Sequence, residues 1–205
     1  MYRFVKRALD IIISFLGIVI LSPLMLIISL LVVWTSKGPA FFRQNRVGKS
    51  KSVFLMYKFR SMRTDTPQNV PTHQLADPDR FITPVGRFLR TTSLDELPQL
   101  FNILAGHMSV IGPRPALPNQ YDLIEARDKY GANDVRPGLT GWAQVNGRDE
   151  LPIPVKAAFD GEYCRRISFM FDLKCFFMTI GKVLSHEGIV EGDTGAKDAG
   201  DNDRD

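Results

Sequence analysis

The chain has 205 residues, and its 26 basic and 22 acidic side chains give it a formal net charge of +4. This length fits one domain with appendages, and a hydrophobic fraction of 44% excludes a wholly disordered chain. The charge is uneven, because residues 187–205 carry seven acidic and two basic side chains, a net of −5. The first 186 residues therefore carry +9, which indicates an anionic partner: phospholipid, nucleic acid or a phosphorylated small molecule.

Several common kinds of site are missing from the sequence. Its two cysteines and three histidines are scattered, which argues against a disulfide framework and against a zinc motif. Neither a P-loop nor a dinucleotide-binding glycine motif occurs. The cysteine usage is typical of a reducing compartment.

A long apolar segment, residues 11–33, comes first along the chain. As a helix it would extend roughly 35 Å, enough to cross a hydrocarbon core of about 30 Å. It is too long for a secretory signal peptide, and no small-residue cleavage site follows it. A simple spanning helix is one interpretation, and a re-entrant helix that leaves on the side it entered is another.

Two features favour the re-entrant helix. Basic residues flank the segment on both sides, and each flank favours the cytoplasmic face. Pro23, at the midpoint, kinks a helix because it lacks an N–H and clashes with the carbonyl of Val19. The neighbouring Ser22 hydroxyl can satisfy that carbonyl in lipid. We therefore expect residues 1–36 to form a re-entrant membrane helix that bends at Ser22 and Pro23.

The next segments predict a small hairpin and a loop. Residues 40–62 read as two short strands around a turn at residues 48–51. Residues 64–80 are polar and contain three prolines, which is typical of a loop. Thr83 and Pro84 then have the residue types of a helix N-cap and first helical position.

Three more helical patterns follow, starting at Ser93, at Pro118 and at residue 155, with Gly106 and Gly131 as stops for the first two. The last pattern alternates phenylalanines with basic residues, so it either lies in the headgroup layer or packs in a core. We predict a mostly helical α+β fold: the re-entrant helix, a compact cytoplasmic helical domain (residues 37–186) with amphipathic interfacial helices, and a disordered acidic tail (residues 187–205).

The stretch from Ser93 to Glu96 has two interpretations. With Ser93 as N-cap, Glu96 would complete a capping box and Asp95 would favour the helix dipole, without any catalysis. Alternatively, the two carboxylates and nearby cations form a magnesium-dependent phosphoryl centre. Mg²⁺ needs only one or two protein carboxylates, arginine binds phosphate in a bidentate manner, and a carboxylate can attack phosphorus. The candidate cations are Lys58, Arg60, Arg87, Arg90, Arg114, Arg136 and Arg148.

Five ordered motifs resemble the bacterial sugar transferase family, whose small monotopic members are polyprenol-phosphate phosphoglycosyl transferases. They are Lys6-Arg7 and Asp10 before the apolar segment broken at Ser22-Pro23, YKFRSM at 57–62, LRTTSLDELPQ at 89–99, GPRP at 112–115, and DVRPG at 134–138 with QVNGR at 144–148. Any one of them alone would be weak, but the five together extend over nearly the whole chain up to about residue 184.

The resemblance implies an enzyme that moves a sugar-1-phosphate from a UDP-sugar to a polyprenol phosphate, such as undecaprenol phosphate, and releases UMP. It implies that Asp95 is the nucleophile and a ligand of a Mg²⁺ cofactor, and that Glu96 assists the acceptor phosphate or the metal. The residues that would hold phosphates are Lys58, Arg90, Arg114, Arg136 and Arg148.

The resemblance also implies a location and a set of partners. The protein would be monotopic on the cytoplasmic face of the bacterial inner membrane, with the bilayer, the UDP-sugar and the polyprenol phosphate as partners and no nucleic acid. We expect Trp142 to anchor it at the interface. Two alternatives stay open: a membrane-anchored binding protein whose acids merely cap a helix, and a membrane-anchored phosphatase that would release phosphate instead of UMP.

Overall fold

The computed structural model describes residues 2–67, 77, 79–147 and 151–184. In this part of the chain a long N-terminal helix packs on a mostly helical α+β body, as predicted, and this body contains two small sheets. The helices are α1 (Tyr2–Thr35), α2 (Pro84–Thr91), α3 (Gln99–Ala105), α4 (Tyr121–Asp128), α5 (Trp142–Val145), α6 (Ile153–Arg166) and α7 (Phe169–Leu184). The strands are β1 (Phe41–Val47), β2 (Val53–Phe59), β3 (Ser109–Ile111) and β4 (Gly138–Thr140). The acidic tail lies outside the described residues.

Helix α1 has 34 residues and contains Pro23. The Ser22 hydroxyl donates a hydrogen bond of 2.9 Å to the carbonyl of Val19, the group whose helical N–H partner Pro23 removes. The expected hydrogen bond of Ser22 is thus present, and the bend at Ser22 and Pro23 stays a prediction. Among the described residues, α1 is the helix that is long and apolar enough to cross a membrane, judged by length and composition alone.

Both ends of α1 are tied to the same body. Near its start, the Tyr2 hydroxyl and Lys6 Nζ donate to Asp172 on α7 at 2.6 and 2.8 Å. Beyond its end, the buried guanidinium of Arg60 donates to five backbone carbonyls between residues 32 and 39. Arg60 was one of the candidate cations for phosphate binding, but its guanidinium instead binds the end of this helix and the residues after it.

The predicted hairpin is confirmed. Strands β1 and β2 pair antiparallel around a short 3-10 turn, and their register sets Phe42 opposite Lys58. Helix α3 is joined to the outer edge of β2 through Asn102, whose side chain accepts from the N–H of Tyr57 and donates to the carbonyl of Leu55 at 3.0 and 2.8 Å. One amide thus continues the hydrogen-bonding pattern of the strand edge.

A parallel pair, β3 and β4, was not predicted. It is held by unusually close backbone contact between two glycine-containing loops. A Cβ on Gly138 would lie 2.1 Å from the nitrogen of Gly112, and one on Gly141 would lie 2.0 Å from the carbonyl oxygen of Gly112. Only glycine fits there, for reasons of space, and the contact fixes the loop that follows β3 and carries Arg114.

The helix boundaries agree with the predictions in part. Thr83 caps α2, since its hydroxyl accepts from the N–H of Gly86 at 2.9 Å. Gly106 ends α3 in the left-handed conformation. Ser93, however, is not an N-cap: its φ of 57° is left-handed and its side chain makes no capping bond. A short 3-10 turn follows it, and α3 begins only after Pro98, which has no N–H to continue an earlier helix.

The expectation that Trp142 anchors the protein at the interface is wrong. Its side chain is buried, its Nε1 donates to Glu162 at 2.7 Å, and its ring packs against Phe171. The aromatic residues of α7 were expected either to pack in the core or to lie in the headgroup layer. Phe171 is buried in the core, whereas Phe177 is 61% exposed, so the two faces of the helix differ.

Candidate active site

A cavity of about 510 Å³ opens beside the hairpin. Its walls come from residues 39–46 and 58–67, with Arg90 from the last turn of α2 and Asp95 from the 3-10 turn. The left-handed Ser93 separates the end of α2 from this turn. The cavity thus places one buried carboxylate beside several cationic side chains.

Asp95 is almost fully buried at the cavity wall. Burial raises the pKa of its carboxyl above the ordinary value, because the charged form loses water, and the neighbouring Glu96 adds to this effect. Lys58, whose Nζ is 3.7 Å from Oδ2, opposes the rise, as do Arg90 and Arg114 more weakly. The carboxylate is therefore poorly hydrated and faces positive charge.

Glu96 has a different environment although it is the next residue. Its Oε1 accepts from Lys58 Nζ at 2.7 Å and from both terminal nitrogens of Arg114 at 3.3 Å. Lys58 therefore lies between the two carboxylates. Since Ser93 makes no capping bond, the capping-box interpretation of the two acids is wrong.

Each cation reaches this position from a different element. Lys58 comes from β2, in the register that sets it opposite Phe42 of the cavity wall. Arg114 comes from the loop after β3, where the Gly112 N–H donates to the carbonyl of Thr140 at 2.8 Å. The structure thus brings together five of the predicted residues, which we call the carboxylate–cation cluster: Lys58, Arg90, Asp95, Glu96 and Arg114.

Other predicted residues lie elsewhere. Arg136 donates from Nε to the carbonyl of Gly106 at 2.8 Å and lines a second, smaller cavity. Arg87 pairs with Asp79 on the surface at 2.9 Å. Arg148 lies outside the described residues, and Ser22 and Pro23 belong to α1.

The sequence reasoning missed the contribution of β1. Phe42, Gln44 and Arg46 share one face of this strand and line the cavity, and Arg46 donates to the carbonyl of Pro115 at 3.1 Å. Their alternating spacing is the signal that could have revealed them, because residues two apart in a strand point to the same side.

A metal here would need ligands from outside the protein. Within the described ranges, no group of three or more His, Cys, Asp or Glu side chains gathers. Two adjacent carboxylates at a cavity wall could bind Mg²⁺, because this ion commonly takes one or two protein carboxylates and completes its coordination shell with substrate oxygens and water.

Comparison with known proteins gives a consistent result. The model of one family, described as bacterial sugar transferase, matches residues 1–186. The chain is 44% identical over 189 residues to the UDP-glucose:undecaprenyl-phosphate glucose-1-phosphate transferase of Escherichia coli, a match that covers 88% of this chain and 40% of that protein.

Two further relatives differ in name and length. A UDP-N-acetylgalactosamine-undecaprenyl-phosphate N-acetylgalactosaminephosphotransferase of Aeromonas hydrophila is 38% identical, over 91% of this chain and 45% of its own. The exopolysaccharide production protein ExoY of Sinorhizobium fredii is 35% identical, over 89% of this chain and 87% of its own. The chain thus spans less than half the length of the first two relatives but most of the third.

Proposed function

The chain belongs to the bacterial sugar transferase family, and from that premise we propose that it transfers a sugar-1-phosphate from a UDP-sugar to a polyprenol phosphate, with undecaprenol phosphate as the expected acceptor. The observation that carries this proposal is the carboxylate–cation cluster at the cavity wall. A UDP-sugar presents a pyrophosphate, and fixed guanidinium and ammonium groups bind its oxygens. The names of the relatives support this donor and acceptor.

The proposed reaction has two steps at one phosphorus atom. First, Asp95 Oδ attacks the β-phosphorus of the UDP-sugar, the bond from that phosphorus to the bridging oxygen breaks, and UMP leaves with that oxygen. The phosphosugar is then held on Asp95 as an acyl phosphate. Second, an oxygen of the polyprenol phosphate attacks the same phosphorus, the acyl phosphate bond breaks, and the Asp95 carboxylate is restored.

The cluster supplies what each step needs. Asp95 must be ionised to attack, and Lys58 at 3.7 Å favours the ionised form against the effect of burial. Arg90 and Arg114 are proposed to hold the phosphates. Glu96 keeps Lys58 and Arg114 in place through its Oε1, and we propose that it also assists the acceptor phosphate.

Mg²⁺ fits this site, with Asp95 as its protein ligand. The donor set consists of a buried carboxylate that opens onto the cavity, and the remaining coordination positions would go to substrate oxygens and water. When bound, the ion would neutralise negative charge on the pyrophosphate.

We further propose that α1 is re-entrant and that the protein is monotopic on the cytoplasmic face of the bacterial inner membrane. Both ends of α1 bind the same body, whereas the hydrocarbon core, about 30 Å thick, would hold the two ends of a spanning helix on opposite sides of the membrane. Between these ends its outer face is apolar and exposed; Ile20 and Leu30 are 70% and 63% exposed. This placement would give the cavity access to a soluble donor and a membrane-bound acceptor.

A transfer assay tests the function. Purified full chain with UDP-sugar, Mg²⁺ and undecaprenol phosphate should release UMP and form lipid-linked phosphosugar, and chelation of Mg²⁺ should stop both. Asp95→Asn should abolish release, because an amide cannot act as the nucleophile. Asp122→Asn, on an exposed face of α4, is the matched control and should retain full activity. Robust turnover by Asp95→Asn would refute the proposal, and release of inorganic phosphate instead of UMP would favour the phosphatase.

A further inference from the structure

A second cavity, of about 70 Å³, lies at the start of α1 and is rich in positive charge. Five cationic side chains line it, and we call it the basic cavity: Arg3, Lys6, Arg7, Lys49 and Arg136. Two acids, Asp10 and Asp134, also line it. The volume suits a single phosphate group and excludes a nucleotide, for which the candidate active site offers about 510 Å³.

The acids cancel only part of this charge, because the five cations meet three carboxylates: Asp10, Asp134 and Asp172, which pairs with Lys6. Asp10 is buried and accepts hydrogen bonds from the Ser109 hydroxyl and the Val110 N–H at 3.1 and 2.9 Å. Lys6 is paired with Asp172, but Arg3 and Lys49 are exposed at the rim. The basic cavity therefore keeps an excess of positive charge that faces solvent.

Two of its guanidinium groups are held rigidly at the end of α3. Arg7 donates from its two terminal nitrogens to the carbonyls of Ile103 and Leu104 at 2.8 and 3.1 Å. Arg136 donates from Nε to the carbonyl of Gly106 at 2.8 Å. Within the described part of the chain, the terminal nitrogens of Arg136 make no hydrogen bond. Guanidinium groups fixed in this way lose little conformational entropy when an anion binds.

The position of the basic cavity suggests where its ligand comes from. Arg3, Lys6 and Arg7 lie in the first two turns of α1, immediately before the apolar segment of residues 11–33. Under the proposed membrane placement, this is the depth of the lipid headgroups, where basic side chains attract anionic lipid.

We propose that the basic cavity binds the phosphate group of a membrane lipid. The shared chemistry is a lipid phosphate, either the diester of an anionic phospholipid or the monoester of a polyprenol phosphate. The inference rests on the proposed membrane placement, but it does not depend on the transfer chemistry at Asp95. A bound lipid phosphate would hold the start of α1 at a constant depth.

Lipid binding to the purified full chain in neutral detergent tests this site, measured by native mass spectrometry without UDP-sugar. The probes are dihexanoyl phosphatidylglycerol (a diester), geranyl phosphate (a monoester) and zwitterionic dihexanoyl phosphatidylcholine. We expect at least one anionic probe to bind more tightly than phosphatidylcholine. The double variant Arg3→Gln/Lys49→Gln should weaken that binding about tenfold or more, because it removes two positive charges at the rim.

Two control variants test whether the measured lipid binding occurs in the basic cavity. Lys51→Gln and Arg87→Gln each remove an exposed charge outside both cavities, where Lys51 pairs with Asp128 and Arg87 with Asp79; neither should weaken the binding that depends on Arg3 and Lys49. Tight binding of both anionic probes identifies a phospholipid headgroup site, and tight binding of geranyl phosphate alone identifies a polyprenol phosphate site. Unchanged binding by the double variant, equal loss in either matched variant, or no preference over phosphatidylcholine would overturn the proposal.

Discussion

Two neighbouring carboxylates, Asp95 and Glu96, are placed in different environments by a single 3-10 turn. Asp95 is buried at the cavity wall, whereas Glu96 binds Lys58 and Arg114 directly. Different surroundings give chemically similar side chains different roles, here a proposed nucleophile and a proposed organiser of cations. The sequence predicted both acids and three of the surrounding cations. It could not predict this difference, because burial depends on residues distant in the chain.

Substitution of the proposed nucleophile should stabilise the fold while it abolishes transfer. Asp95 is buried with a raised pKa, so at neutral pH the ionised carboxylate is less favourable in the folded state than in the unfolded chain. Asp95→Asn removes that cost and keeps the contact of Lys58 with Glu96. We expect the free energy of unfolding to rise by about 0.5–2 kcal/mol, measured by thermal or denaturant unfolding. A marked loss of stability would contradict this account of Asp95.

The raised pKa of Asp95 also makes the stability difference between the wild type and Asp95→Asn depend on pH. A group whose pKa is higher in the folded state binds protons more readily there, so its favourable contribution is present at acid pH and is lost as pH rises through the folded pKa. The stability advantage of Asp95→Asn should therefore shrink as pH falls through the raised pKa, where wild-type Asp95 becomes protonated. Transfer by the wild type should decline over the same range. Unfolding curves and initial rates at a series of pH values check both, and an advantage that does not change with pH would refute the expected ionisation.

At the scale of elements, most local signals predicted the structure correctly, with the Ser93 cap as the exception, whereas the long-range contacts were not predicted. The hairpin, the Thr83 cap and the Gly106 stop depend on residues close together in sequence, so their patterns are visible there. The β3–β4 pair depends on a contact between two loops, and each strand has only three residues, too few to show a period. Trp142 was misplaced because the sequence does not reveal Glu162 and Phe171 as its partners.

The glycine contact between the two loops should be essential for both stability and activity. In Gly138→Ala the new methyl group would lie 2.1 Å from the backbone nitrogen of Gly112, so the loops must separate and Arg114 must move. We expect a loss of about 1–3 kcal/mol in the free energy of unfolding and a large loss of transfer. Thermal unfolding and the UMP assay measure the two effects.

Gly181→Ala is the matched control for this substitution. No heavy atom lies within 4 Å of its added Cβ, and the residue is in helix α7, so the change should be neutral or stabilising by up to about 1 kcal/mol. If both variants were equally stable, the proposed role of the close loop contact would be wrong.

At the scale of the whole molecule, α1 and the body form one unit that is connected at both ends of the helix. The sequence predicted an apolar segment broken at Ser22 and Pro23 with basic flanks, which is a local pattern. The connections of Lys6 to Asp172 and of Arg60 to the end of α1 join residues far apart in the chain, and no periodicity predicts them.

This connection predicts the membrane topology. Single cysteines introduced as Arg3→Cys and Lys37→Cys, both at exposed positions, flank the apolar segment. In intact spheroplasts a membrane-impermeant maleimide should label neither, and after the inner membrane is opened it should label both, because a re-entrant helix keeps both flanks in the cytoplasm. The unmodified chain gives the background from Cys164 and Cys175. Labelling of one position from outside intact spheroplasts would show a spanning helix.

The covalent phosphosugar on Asp95 is the central claim, and the mass of the protein tests it most directly. Purified full chain with UDP-sugar and Mg²⁺, but without polyprenol phosphate, should gain the mass of one phosphosugar. Tandem mass spectrometry should locate this mass on Asp95, and addition of undecaprenol phosphate should remove it. An unchanged mass under conditions where the complete reaction turns over, or an adduct on any other residue, would contradict the account.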